Sequence, residues 1–332
     1  MGVGSGLGGQ FGFGPETTYG TTVTPTRFLP PIKAELKAKP MFTMGMGIAA
    51  GQFIDAGSQR VLTTHDGNGA VELELQTAGF GLLLQALMGS TVTPVQQATT
   101  AAYLQTHVLN GDSLGKNLTL QVGVPDTQGV VRPYTLAGGK VTDCTFSFDI
   151  KATGPILTSW TFDGQDVVET QALAAASYVQ SRAFVGTDVT IKAGVFGSEV
   201  QVDGVPKVDV KFTRPMKLDR QYLGNQGRKR EPITNGRIAV TGTITADFVD
   251  KTLWADRFLA NASFSLVISA TGVLIASTFY QNLTITLPQC FIDGDTPVLS
   301  NMDVVNGAFP FRCLFDGTHQ PTITYTSTDV TL

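Results

Sequence analysis

An ordered series of short matches in the first half of this chain comes back in the second, and that recurrence constrains the fold more than any other feature. Lys39-Pro40-Met41 is answered by Arg214-Pro215-Met216, and Gly69-Ala70-Val71-Glu72-Leu73 by Gly236-Arg237-Ile238-Ala239-Val240. Leu118-Thr119-Leu120-Gln121-Val122 corresponds to Phe264-Ser265-Leu266-Val267-Ile268, Cys144 to Cys290, and Phe162-Asp163-Gly164 to Phe315-Asp316-Gly317. Each match is short. Their shared order of strand, long loop, strand, helix, strands and Asp-Gly turn is the signal. Such a chain is expected to fold as two related units, and its 332 residues suffice for two cores. The division that follows is an extended N-terminal arm over 1–27, a first unit over 28–168, a linker over 169–186 and a second unit over 187–332. The arm, rich in glycine and threonine, is read as disordered or as laid over a neighbouring subunit.

Local patterning points to a mainly β fold with short helices. Val71, Leu73 and Leu75 alternate with Glu72, Glu74 and Gln76, as in a half-exposed strand. Phe80, Leu83, Leu84 and Leu87 recur at helical spacing up to Gly89, and a second short helix is expected from Asp250 to Ala260. The alanine-rich linker has some helical character. Only 15% of the residues are charged, 42% are hydrophobic, and 37 are glycine. That balance suits strands joined by glycine turns and a surface largely covered by neighbours.

Two long loops stand out. Met41 to Gly57 carries Met41, Phe42, Met44, Met46 and Phe53 with a single charge. An exposed apolar loop of this length is unfavourable in a monomer and useful at an interface. The other loop, Lys217 to Asn235, carries the basic run Arg228-Lys229-Arg230.

Several function classes are disfavoured. A net charge of -4 offers no basic groove for tight nucleic-acid binding. Cys144, Cys290 and Cys313 lack metal or redox spacing and are expected as buried, reduced thiols. Gly4, Gly6 and Gly9 fit a dinucleotide fingerprint by spacing but have no strand before them and no helix after. His65, His107 and His319 are scattered and are expected at the surface. Asp293-Gly294-Asp295 lacks the rest of a calcium loop. No catalytic grouping emerges from spacing, so neither an enzyme nor a cofactor is expected. No secretory signal is visible, and the apolar stretch Phe80 to Met88 is too short to span a bilayer.

The opening block Phe13-Gly14-Pro15-Glu16-Thr17-Thr18-Tyr19-Gly20-Thr21, with Val23-Thr24-Pro25-Thr26-Arg27-Phe28-Leu29 after it, resembles the start of tail tube proteins of long-tailed, siphovirus-type bacteriophages. The glycine-rich residues before it fit, as does the later run Phe80-Gly81-Leu82-Leu83-Leu84. The resemblance implies two tandem β-sandwich or half-barrel domains, each with a flanking α-helix. Subunits would pair sheet edges into a closed barrel lining a channel, and rings would stack into a tube. The implied partners are further copies of the chain, a tape-measure protein in the lumen during assembly, and tail terminator and distal tail proteins. Double-stranded DNA would pass through transiently, and no membrane is involved. The chain would be made in the host bacterial cytoplasm and end in the virion.

A duplicated chain implies three-chain rings of pseudo-six-fold shape, with a homohexamer as the alternative. Glu72, Glu74 and Asp247 are the candidate lumen-facing residues. Met41, Phe42, Met44, Met46, Phe53, Arg228, Lys229 and Arg230 are the candidate ring-to-ring contacts, the basic ones pairing with acidic groups on the next ring. The inner tube of a contractile injection machine and a β-rich surface adhesin are the competing readings.

Overall fold

The computed structural model describes residues 4–48, 50–151, 154–247, 254–294 and 306–332. The fold is mainly β. Its principal strands are β1 (Gln10–Pro15), β2 (Pro31–Ala38), β3 (Gly67–Glu74), β4 (Leu118–Pro125), β5 (Val131–Asp149), β6 (Leu157–Gly164), β7 (Lys207–Thr213), β8 (Ala239–Asp247), β9 (Phe264–Ala276), β10 (Phe279–Ile292), β11 (Asn306–Cys313) and β12 (Thr322–Ser327). Two short helices accompany them, α1 (Gly81–Met88) and α2 (Ala255–Leu259).

One antiparallel sheet crosses both halves of the chain. Its order is β2-β3-β6-β5-β7-β8-β11-β10. The first four strands and the last four follow the same rule. A strand pairs with the one after the long loop, which pairs with the outgoing strand of the last hairpin, which pairs with the incoming one. The two halves meet where β5 lies against β7, from Asp143↔Thr213 to Asp149↔Lys207. The long strand β5 also pairs, near its start, with β4, and β10 pairs with β9 along most of its length, from Phe279 to Cys290.

Alternation along the strands gives this sheet two unlike faces, because successive side chains point to opposite sides. One cross-strand row reads Ala34, Val71, Trp160, Cys144, Phe212, Val240, Cys313, Cys290. The neighbouring row reads Lys33, Glu72, Ser159, Thr145, Lys211, Thr241, Arg312, Phe291. The first row belongs to a core shared by both halves. In it Trp160 meets Phe80, just before α1, at 6.3 Å and Phe146 at 6.1 Å, and Phe146 meets Phe212 across the junction at 6.2 Å. In the second half Trp254, just before α2, packs on Phe264 and Phe309. Tilted and edge-on aromatic contacts of this kind add to the burial they accompany.

The α1 reading is borne out: the helix ends at Gly89, whose φ is 78°. Of the second helix, Ala255–Leu259 is seen, and residues 250–253 lie outside the described residues. Arg27–Phe28 and β2 are separate strands, with Leu29 and Pro30 between them. The long strand β5 is continuous from Val131 to Asp149, with register shifts after Leu136 and Val141.

Three expectations need correction. Residues 10–15, expected within an extended arm, pair along their length with β4 of the same chain and bury Phe11 and Phe13 completely. The linker carries no helix from 169 to 183. Its backbone is held by side chains instead, with Ala174 N–H donating to Gln121 Oε1 at 2.8 Å and Gln121 Nε2 donating to the Ala172 carbonyl at 3.0 Å. His107, expected at the surface, is fully buried.

The buried imidazole has a measurable consequence. His107 Nε2 lies 3.2 Å from Gln105 Oε1, its Nδ1 has no partner among the described residues, and burial pushes its pKa down to about 4. The folded state therefore holds this proton less well than the unfolded chain. The stability of neutral His107 is intact above pH ~6.5 and is lost as pH falls from there toward 4, by about 3 kcal/mol in all. Denaturant titrations at stepped pH should show His107→Gln losing less stability than the parent chain across that window. Parallel curves would refute the assignment.

Candidate assembly surfaces

The polar face of the long sheet holds the three carboxylates singled out from sequence. Glu72 and Glu74 lie on β3 and Asp247 at the end of β8, all half-buried and in the alternation phase opposite to the core. The structure thus places them on one face. Lys33, Lys37, Lys207, Lys211 and Arg312 share it. Each has a carboxylate of the same chain beside it: Lys33 is 3.7 Å from Glu35, Lys207 3.1 Å from Asp209, Lys211 3.3 Å from Asp143, Arg312 3.6 Å from Asp293, and Lys37 also pairs with Glu35. Such solvent-facing pairs add little stability. Their effect is to cancel the positive charge locally, while Glu72, Glu74 and Asp247 leave the face acidic.

At one end of this sheet, β2 pairs with β3 on one side, and among the described residues no strand covers its other edge. Along Pro31–Ala38, every second residue therefore turns its backbone groups toward an unpaired edge.

The apolar loop is a projecting hairpin. Met41–Thr43 pairs with Val61–Thr64, and the guanidinium of Arg60 sits 3.8 Å over the Phe42 ring. Met41 and Phe42 are exposed, Met44 is half-buried, and Met46 and Phe53 are each 97% exposed. Ile48 and Ile54 join them, extending the apolar tip beyond the residues first singled out.

The basic loop behaves otherwise, and Lys229 is the clearest correction. It is buried, and its ammonium donates to Asp66 Oδ1 at 2.6 Å and to both oxygens of Asp163 at 2.7 and 2.8 Å. Its carbonyl accepts from Gln165 Nε2 at 2.8 Å. Arg228 lies 3.6 Å from Asp166, which also holds His65 at 2.9 Å. Gly227 makes this close approach possible: its φ is 72°, and a Cβ there would fall 2.2 Å from the Thr63 carbonyl oxygen. The run is thus a latch from the second half onto the first, and Lys229 is not available to another ring. Arg230 alone of the three is exposed.

Other buried polar residues that the sequence reading missed serve the same tie. Arg214 donates to the carbonyls of Leu87 and Asn110, both at 2.9 Å, and so closes the C-terminus of α1 from the other half of the chain. Lys140 pairs with Glu231 at 2.6 Å. The opening block gains a structural meaning too. Glu16 is buried and accepts from Gly20 N–H at 2.9 Å, Gly138 N–H at 2.8 Å and the Thr119 hydroxyl at 2.9 Å. Burial raises its pKa, and these hydrogen bonds pull it back. Arg214 and Asp163 both sit in the repeated triplets, which was the one sequence signal that marked them.

No cluster of three or more His, Cys, Asp or Glu suited to a metal occurs among the described residues. A comparison with individually curated proteins returns no match. A family model described as phage tail tube protein matches residues 6–313, which is nearly the whole chain. With its β-rich fold, the chain therefore belongs to the phage tail tube protein family, the structural proteins that build the tube of the virion tail.

Proposed function

We propose that copies of this chain close into rings of three and that the rings stack into the non-contractile tube of a siphovirus-type tail. The observation that carries the reading is the sheet that crosses both halves, acidic and polar on one face and unpaired along β2. An uncovered strand of this length is normally completed by another chain. Pairing of β2 with an uncovered stretch in a second copy, such as residues 306–309 of β11 that β10 does not reach, removes the open edge, and repetition closes a wall. The recurrence of one pairing order in each half supports counting each chain as two sectors of six.

In such a ring the polar face lines the lumen. Glu72, Glu74 and Asp247 then repel phosphates, and the five paired cations offer DNA no release of counterions. DNA slides through a wall that does not hold it. The same lumen accommodates a tape-measure protein during assembly, and terminator and distal tail proteins meet the two open ends of the tube.

The exposed hairpin and Arg230 are the ring-to-ring contacts of this reading. Removing residues 44–59 while keeping the paired stems should leave folded rings or monomers that form no long tubes by negative-stain microscopy. Tubes of normal length from the deleted chain would remove the hairpin from the contact. Mass measurement of the rings separates three chains from six, and a solitary, well-folded particle at all concentrations would overturn the reading.

A further inference from the structure

Cys290 and Cys313 face each other across the β10:β11 ladder. Directly opposed residues of an antiparallel pair have Cα atoms about 4.5 or about 5.5 Å apart, and disulfides span Cα separations of about 4.4–6.8 Å. Both side chains lie in the core-facing row, and each thiol donates to a backbone carbonyl, Cys290 to that of Leu287 at 3.9 Å and Cys313 to that of Leu314 at 3.8 Å. Cys290 is fully buried and Cys313 half-buried, so a small reagent reaches the pair through Cys313. The third thiol is a built-in contrast. Cys144 is buried, and its ladder partners are Trp160 and Phe212.

We propose that Cys290 and Cys313 are a redox-responsive pair that closes into an intramolecular disulfide once the chain meets an oxidising medium. The adjacent Cys290 thiol lowers the pKa of the Cys313 thiol, and Cys313 is the more accessible of the two, which makes it the attacking group. With a low-molecular-weight disulfide as oxidant, the Cys313 thiolate attacks one of its sulfurs and expels a first thiolate, which takes up the proton Cys313 lost. Cys290, on losing its proton, attacks the Cys313 sulfur of the mixed disulfide and expels a second thiolate, which takes up that proton. Two protein thiols are oxidised, and one disulfide is reduced to two small thiols. The bond fastens the base of the β10:β11 hairpin, where Cys290 also pairs with Phe264 of β9.

The sequence makes the test direct. Cleavage after Arg257 and Arg312 puts Cys290 in the peptide 258–312 and Cys313 in 313–332, while Cys144 lies in 141–151. The purified full-length chain is equilibrated with oxidised and reduced glutathione, alkylated, digested and mapped by mass spectrometry. The expected result is a 258–312 to 313–332 link within one chain that reductant dissolves, with Cys144 alkylated only after unfolding. Cys313→Ser should abolish the link and Cys144→Ser should keep it. Three alkylatable thiols after oxidation of the parent chain would overturn the proposal. So would a link to Cys144 or between chains.

Discussion

Lys229→Ala is expected to cost about 3–5 kcal/mol, a large fraction of the stability of an ordinary domain. The lysine tail brings a positive charge into a site where burial already pushes the Asp163 pKa up to about 6, against the pull of that charge. Without the ammonium, Asp163 loses its nearest cation and Asp66 loses its partner at 2.6 Å. The remaining carboxylate then takes up a proton at higher pH than before. The loss should therefore be greatest at high pH, shrink as pH falls toward about 6, and change little below it. Chemical denaturation at two pH values reads both effects. Lys229→Ala with Asp163→Asn should recover part of the loss, since no buried charge is then left alone. A single variant as stable as the parent would mean that the latch contributes nothing.

Two proline substitutions on β2 should have opposite outcomes, and one should abolish assembly outright. Consecutive residues of a strand aim their N–H groups to opposite sides, so of Glu35 and Leu36 one donates toward β3 and the other toward the uncovered edge. Proline removes that donor. Of Glu35→Pro and Leu36→Pro, one should lower the melting temperature through its loss from the β2:β3 ladder. The other should leave a folded monomer that builds no tube, as read by circular dichroism together with electron microscopy. If both variants assemble into tubes of normal length, β2 is not a seam between copies.

Much of the fold was legible because its signals are local. The alternation from Val71 to Leu75 states which side of β3 is wet, and Gly89 marks where α1 must stop. The same order of strand pairing occurs in each half of the long sheet. What was illegible is tertiary. The Phe-Gly alternation of β1 reads as a flexible arm by composition. Yet a Cβ on Gly12 would stand 2.5 Å from the Phe28 ring, so the glycine is what lets β1 lie flat in the body. Arg228-Lys229-Arg230 reads as one solvated basic patch, and no local pattern says that the middle charge turns inward. That depends on Asp66 and Asp163, each more than sixty positions away in sequence. The burial of His107 was illegible for the same reason: it ends the polar run Gln105-Thr106-His107 in a strand whose surroundings come from distant segments.

The junction between β5 and β7 has a kinetic implication. In a wall made from such chains, every second seam is already made when the polypeptide folds. Its halves meet at an effective concentration fixed by tethering and not by how much protein the cell has produced. Growth of the tube then needs half as many encounters between free molecules. The two sectors, bound to travel together, are also released from having to be alike: one can carry the apolar hairpin and the other the latch that reaches back to its base.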